Sequence, residues 1–241
     1  MADSRTAPTN HPRSTSRCLL CYITDRTAFP GDESTRCRRL LEKIAEAARA
    51  GVDYIQLREK DLSTRELEAL ARAAADVAHQ LRAENRELKT ALLINSRTDL
   101  ALAAHADGVH LRSRDISPQD VREIWSRSCA GDTSVRQTPI IGVSCHSPAE
   151  VGRAAADAAT FAVFAPVFEK KDARRARPTG LEQLKQACNA SIPVLALGGV
   201  TVANALSCLE AGAAGIAAIR LFQETPVASV AESLRTLQRR L

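Results

Sequence analysis

The most constraining feature of this sequence is a repeated alternation between short apolar runs and longer stretches of helical character. Each run is rich in apolar and β-branched residues, as buried strands are, and each precedes an Ala-, Leu-, Arg- and Glu-containing stretch with helical period. The alternation therefore predicts a series of strand–helix units. The predicted strands are Cys18–Thr24, Asp53–Arg58, Thr90–Asn95, Gly108–Leu111, Pro139–Ser144, Thr160–Phe164, Ile192–Leu197 and Gly215–Ile219.

Residues that favour helix ends support this division. Ser117 and Ser147 each stand before a proline, the arrangement of an N-cap followed by a first helical residue. Gly51 and Gly212 stand where a glycine usually terminates a helix. The predicted helices are Glu33–Ala50, Ser63–Glu84, Ser117–Arg127, Pro148–Ala158, Leu181–Ala190, Thr201–Ala211 and Val227–Arg240, with a short turn near Arg97–His105.

Eight strands, each followed by a helical segment, predict an α/β protein with a single (β/α)8 TIM barrel. The alternative is an open doubly wound sheet. The strand count disfavours it, and so does the lack of a Gly-x-Gly-x-x-Gly motif after the first strand.

Composition indicates the domain boundaries, the cellular location and the classes of partner. Residues 1–17 are polar and predict a disordered tail, so the barrel domain is expected at 18–241. We expect a cytoplasmic protein with free thiols, because no apolar run reaches the ~18 residues of a membrane span and no secretory signal opens the chain. Aromatic residues make up only 3% and basic residues are scattered, which argues against nucleic-acid binding despite a net charge of +5.

Active sites of TIM barrels lie at the carboxyl ends of the strands, so residues just after each run are the candidates. Gln56, Arg58 and Lys60 alternate at the end of the second strand and therefore share one side. Two cations and an amide there suit a phosphate, diphosphate or carboxylate of the substrate. The alternative is a solvated basic edge.

The fifth strand places Ser144 and His146 on one side. A histidine at a strand end is a candidate proton carrier because its ordinary pKa of ~6.5 suits transfer near neutrality. The alternative is a structural histidine. We expect Cys145 to pack in the core and His110, within the fourth strand, to be structural.

Further candidates follow the other strands. Asn95 and Arg97 follow the third strand as substrate-binding donors, and Asp115 follows the fourth as a carboxylate near the barrel mouth. A phosphate commonly lies between the seventh and eighth loops of this fold, which points to the backbone of Gly198, Gly199, Ala218 and Ile219.

The sixth strand leads into a long charged segment. It begins with Glu169 and Lys170 and continues to Arg177 with few apolar residues. Such a loop over the barrel mouth predicts a mobile lid, or alternatively an ordinary exposed insertion. Cys18-x-x-Cys21 lies in the first strand without a second pair, so we do not expect a zinc site there.

Six motifs, in order along the chain after residue 17, resemble the thiamine phosphate synthase/TenI superfamily. They are Gln56–Lys60, Asn95–Asp99, Ala106–Leu111, Gly142–Ser147, Pro166–Glu169 and Pro193–Thr201. The resemblance implies a thiamine-biosynthesis enzyme that binds a thiazole phosphate as a small-molecule partner, with no nucleic-acid or membrane partner. It leaves the oligomeric state open, with a homodimer as one alternative.

The resemblance implies two reactions. A synthase couples a pyrimidine diphosphate to the thiazole phosphate with Mg²⁺, for which Asp115 matches a metal ligand while Ser96 replaces the usual aspartate. A TenI-type thiazole tautomerase needs no cofactor. In it His146 would move a ring proton, with Ser144 or Glu169 orienting the histidine or the substrate. The Ser-x-His and Val-Phe-Glu motifs favour the tautomerase, whereas the intact set of Gln56, Arg58 and Lys60 resembles a synthase. A non-catalytic phosphate-metabolite binder is the third alternative.

Overall fold

A computed structural model describes residues 17–129, 138–169 and 178–241. Its strands form a closed, all-parallel barrel in which each strand pairs with its neighbours in chain order and the last pairs with the first. The predicted TIM barrel is confirmed, and the alternative open sheet is wrong. The strands are β1 Leu19–Ile23, β2 Tyr54–Leu57, β3 Ala91–Asn95, β4 Gly108–Leu111, β5 Ile140–Cys145, β6 Phe161–Phe164, β7 Val194–Ala196 and β8 Gly215–Ala218.

Helices surround the barrel. In the described parts of the chain they are α1 Glu33–Arg49, α2 Thr64–Glu84, α3 Thr98–Ala103, α4 Pro118–Ser128, α5 Pro148–Ala156, α6 Gly180–Ala187, α7 Val202–Glu210, α8 Arg220–Gln223 and α9 Val227–Gln238, with a 3-10 turn at Arg26–Ala28. The sequence did not predict the 3-10 turn or α8. Ile219, which was predicted to end the last strand, instead turns away with ψ of −79° and caps α8.

The predicted helix boundaries have their physical causes in the structure. Ser117 and Ser147 accept hydrogen bonds from backbone N–H groups in the first turns of α4 and α5. Gly51 and Gly212 adopt φ of 72° and 101°, left-handed values that favour glycine after a helix. Every helix among the described residues is too short or too polar to cross a lipid bilayer.

Strand alternation divides the core in two. Outward-facing strand residues pack against the helices in a large apolar cluster, while inward-facing residues fill the barrel. Within the barrel, Tyr54 stacks on Phe161 with ring centroids 4.3 Å apart. Cys145 faces outward as predicted, and burial raises the pKa of its thiol to about 12.

The inward-facing residues change character toward the carboxyl ends of the strands. Leu93 on β3 and Ile140 on β5 belong to or pack against the apolar interior cluster. On β3 the inward position two residues after Leu93 is the polar Asn95. On β5 the inward position four residues after Ile140 is the polar Ser144. The apolar filling therefore stops below the barrel mouth, and the space above it is lined by groups that can hydrogen-bond.

Candidate active site

A cavity of about 1010 Å³ opens at the carboxyl ends of the strands. It has the size expected of a small-molecule site and combines apolar and polar walls. Most of the candidate residues from the sequence line it. They are Gln56, Arg58, Lys60, Asn95, Asp115, Ser144, His146, Glu169, Gly198, Gly199, Ala218 and Ile219.

Gln56 is a buried residue of the cavity wall. Its side chain is buried, and its Nε2 donates to Asn95 Oδ1 at 2.8 Å. No described residue donates to Gln56 Oε1, which is itself buried. A buried acceptor without a partner costs about 1–3 kcal/mol, so this oxygen is suited to accept a hydrogen bond from a ligand.

Arg58 is half-buried on the same wall. Burial lowers the pKa of its guanidinium, while the nearby carboxylates of Asp25 and Glu59 oppose that shift. Arginine nevertheless stays charged in proteins. Arg58 forms no ion pair with any residue that the structure describes. A partly desolvated cation without a paired anion favours an anionic ligand in the cavity.

His110 reaches the cavity from within β4, although we expected only a structural role for it from the sequence. Its Nε2 lies 2.9 Å from Ser144 Oγ, and the residue is 1% exposed. Burial lowers the pKa of His110 to about 4, and the charge of Arg58 acts in the same direction. The ring is therefore neutral at pH 7. Gly142 leaves room for it, because a Cβ there would lie 2.6 Å from His110 Nδ1.

His146 stands at the rim, after the end of β5. Its ring Nδ1 lies 2.7 Å from the Ala165 carbonyl oxygen, and its backbone N–H donates to Glu150 Oε2 at 2.6 Å. A carbonyl oxygen only accepts, so Nδ1 carries the proton. The neutral ring then has its lone pair on Nε2, which makes His146 able to accept a proton there.

The Gly198–Gly199 turn, which follows β7, also lines the cavity. The Gly198 carbonyl accepts from Phe168 N at 2.9 Å, and the Gly199 carbonyl accepts from Asn204 Nδ2 at 3.0 Å. Among the described residues none accepts from the N–H of either glycine. These two donors are therefore available to an anion before helix α7.

Asp115, which follows β4, is the next residue of the cavity wall. Its oxygens accept from Arg112 N at 2.8 Å and Nη2 at 2.9 Å. Burial raises the pKa of the Asp115 carboxyl, but hydrogen bonds from Arg112 and Ser96 outweigh it and hold the pKa below its usual range. Ser96 thus lies beside Asp115. Within the described ranges, no cluster of three or more His, Cys, Asp or Glu side chains could hold a metal ion.

One candidate residue lies elsewhere. The guanidinium of Arg97 is bound to Asp99, with Nη2–Oδ2 of 2.6 Å, and to Thr64 Oγ1 at 3.2 Å. Its side chain leaves the third strand end on the side of α2, so the prediction that Arg97 binds substrate is not supported by its position. Lys170 and the predicted lid segment up to Arg177 lie outside the described residues.

A family model described as thiamine monophosphate synthase matches residues 20–222. The chain belongs to the thiamine monophosphate synthase family. A thiamine-phosphate synthase of Methanoculleus marisnigri is 36% identical over 219 residues, which are 90% of this chain and 93% of that protein. One of Roseiflexus castenholzii is 36% identical over 212 residues, 86% of this chain and 82% of that protein.

Solved structures agree with the sequence comparison. The thiamine phosphate pyrophosphorylase from Pyrococcus furiosus superposes with a TM-score of 0.71 at 29% identity, covering 95% of this chain and 98% of that chain. The resemblance drawn from the six sequence motifs is therefore confirmed, and the protein belongs to thiamine biosynthesis.

The family resemblance implies a metal-binding aspartate at the position taken by Ser96. The structure puts the Ser96 hydroxyl beside Asp115, next to Asn95. Mg²⁺ is usually bound by one or two carboxylates together with water and substrate phosphates. One carboxylate and a hydroxyl fit an ion that takes its remaining ligands from water and a diphosphate.

Sequence reasoning missed several cavity residues besides His110. Arg220 and Glu224 also line the mouth. For His110 a signal was present, because it alternates with Gly108 and both therefore face into the barrel. Arg220 and Glu224 belong to or follow the short helix α8, which four residues of sequence do not reveal.

Proposed function

We propose that this protein is a thiamine phosphate synthase. It joins a hydroxymethylpyrimidine diphosphate to a thiazole phosphate: the thiazole nitrogen bonds to the methylene carbon of the pyrimidine as that carbon's bond to the diphosphate oxygen breaks. The observation that carries the proposal is a single cavity lined both by Arg58 and Lys60 and by the Gly198–Gly199 backbone. The names of the similar proteins favour this reaction over the tautomerase that the sequence motifs favoured.

Each wall suits one substrate. Arg58 and Lys60 would hold the diphosphate, because charged donors bind phosphate oxygens strongly and Arg58 has no carboxylate partner among the described residues. The N–H groups of Gly198 and Gly199 would hold the thiazole phosphate. Both reacting ends then lie in one enclosed space, which lowers the entropic barrier to their reaction.

The departing diphosphate needs its developing charge neutralised. Arg58 and Lys60 line the cavity and can supply the positive charge that this requires. Asp115, with the Ser96 hydroxyl beside it, would hold a Mg²⁺ ion that takes further ligands from the diphosphate. When bound, that ion would withdraw charge from the leaving group.

One assay tests the proposal. The purified protein is given both substrates, with and without Mg²⁺, and released diphosphate and thiamine phosphate are measured. We expect both products in equal amounts and only with the metal. If neither is formed under either condition, the protein is not a synthase.

The second candidate is a thiazole tautomerase without a cofactor. The observation that favours it is the position of His146, whose Nδ1–H is held by the Ala165 carbonyl so that Nε2 can take a ring proton at the cavity rim. In the same assay series, this candidate predicts that thiazole tautomerisation proceeds in the absence of pyrimidine diphosphate and is lost in His146→Ala. Activity that survives in His146→Ala would exclude His146 as the proton carrier.

A further inference from the structure

Glu59 separates the two cavity cations along the chain but points away from the cavity. Its side chain is 1% exposed, and its carboxylate accepts three hydrogen bonds. The donors are Thr24 Oγ1 at 2.5 Å, Arg26 N at 3.0 Å and Arg26 Nη1 at 3.2 Å. All three belong to the segment between β1 and α1, so Glu59 ties the end of β2 to a neighbouring loop.

Arg26 balances this buried carboxylate. Its guanidinium is 3% exposed and also binds Asp61, at 2.7 and 2.9 Å, and Glu33, at 2.5 Å. A buried charge is tolerated when it is paired and hydrogen-bonded, as it is here. Because Arg26 lies 3.2 Å from Glu59, that carboxylate is compensated without recruiting Arg58.

Thr24 connects this cluster to Arg58 directly. The backbone N–H of Arg58 donates to Thr24 Oγ1 at 3.0 Å, and the same hydroxyl donates to Glu59. Thr24 is itself completely buried, and its own N–H donates to the Gln56 carbonyl at 3.0 Å. The hydroxyl therefore fixes the backbone from which the Arg58 side chain enters the cavity.

We propose that Thr24, Arg26 and Glu59 form a positioning cluster that holds Arg58 in place for a diphosphate group. None of the three lines the cavity, so their effect on a ligand passes through Arg58 and its neighbours. The inference rests on the proposed function, because it takes the Arg58 wall as the diphosphate site. It predicts that damage to the cluster weakens diphosphate binding selectively.

The test compares Thr24→Val with Thr90→Val. Thr90 is equally buried and its hydroxyl donates to the Val52 carbonyl at 2.6 Å, but it lies at the opposite end of the barrel. Both substitutions keep the shape and remove a buried hydroxyl. Binding of inorganic diphosphate and of thiazole phosphate is measured by calorimetry, with thermal unfolding as the check of folding.

We expect Thr24→Val to weaken diphosphate binding on the order of tenfold, the effect of losing about 1.4 kcal/mol of hydrogen bonding. Thiazole phosphate binding should stay within twofold, and Thr24→Ser should restore the diphosphate affinity. Thr90→Val should change neither affinity. Equal loss of both affinities, or no loss in a folded Thr24→Val, would overturn the positioning role.

Glu59→Gln and Arg58→Ala complete the design. If the cluster positions Arg58, Glu59→Gln weakens diphosphate binding although it removes a negative charge near the site. Stronger binding would mean that Glu59 acts only through its charge, which overturns the proposal. An unchanged affinity in Arg58→Ala would overturn both this inference and the assignment of the diphosphate wall. A loss in Arg58→Ala without a loss in Thr24→Val would overturn the inference alone.

Discussion

At position 96 the chain carries a serine in a left-handed backbone conformation, with φ of 60°. Its hydroxyl accepts a hydrogen bond from Asn95 Nδ2 at 3.2 Å and lies near the Asp115 carboxyl, whose pKa it helps to lower. Aspartate and asparagine adopt left-handed values more readily than most residues, so this position accepts either without added strain. The residue at position 96 therefore decides how many carboxylates a metal ion would meet.

We predict that Ser96→Asp tightens Mg²⁺ binding on the order of tenfold by adding a hard oxygen ligand beside Asp115. Calorimetry with Mg²⁺ and diphosphate measures this, and the metal concentration that gives half-maximal diphosphate release should fall in parallel. Ser96→Asn is the matched control, since it has nearly the same shape and no charge. Equal metal affinity in the two variants would contradict a metal site at this position.

The Gly198–Gly199 turn after β7 packs closely against the segment that follows β6. Gly199 has φ of 65°, and a Cβ on it would lie 2.5 Å from the Glu169 carbonyl oxygen and 2.8 Å from Phe168 Cβ. The segment after β6 therefore rests directly on this turn. The glycine pair reflects this close packing between two loops as well as any approach of a ligand.

We predict that Gly199→Ala lowers the free energy of unfolding by about 1–3 kcal/mol, because it combines left-handed strain with a clash against backbone. It should also weaken thiazole phosphate binding by displacing the loop. Gly152→Ala, inside α5 with open space around it, is the control and should be neutral or stabilising by up to about 1 kcal/mol. Chemical denaturation measures both. Similar free energies of unfolding for the two variants would mean that the segment after β6 shifts to make room for the added Cβ, which contradicts the prediction.

Across the whole molecule, the sequence patterns predicted the features that depend on residue periodicity, namely the strands and the side that each strand residue faces. They did not predict contacts between residues that lie far apart in the chain. Strand alternation put Gln56 and Arg58 on one side because parity within a strand is a local property. The buried contacts of Glu59 with Thr24 and Arg26 bring together loops 33 to 35 residues apart, and no local pattern encodes them. The inward position of His110 could be predicted from parity, but its contact with Ser144 depends on how the strands pair around the barrel.

The stability of the whole molecule should fall between about pH 6.5 and pH 4, because the buried His110 and the half-buried His79 resist protonation in the folded protein. Burial lowers the pKa of His110 to about 4 and also lowers the pKa of His79 in α2. In this window the unfolded chain binds protons that the folded protein does not, so folding is favoured at higher pH. Carboxylates with lowered pKa values, such as Glu66, act in the same direction but mostly below about pH 4.5.

Urea unfolding of the wild type and of His110→Gln between about pH 7 and pH 5 isolates this contribution, which is at most about 1.4 kcal/mol per pH unit for one proton. The variant will be less stable at pH 7, because it loses the fit of the ring over Gly142, but its stability should fall less steeply with decreasing pH. His79→Gln should reduce the remaining slope, and the double variant should reduce it most. If His110→Gln has the same slope as the wild type, His110 is protonated in the folded protein at mild acidity, and the neutral ring inferred for the cavity is wrong.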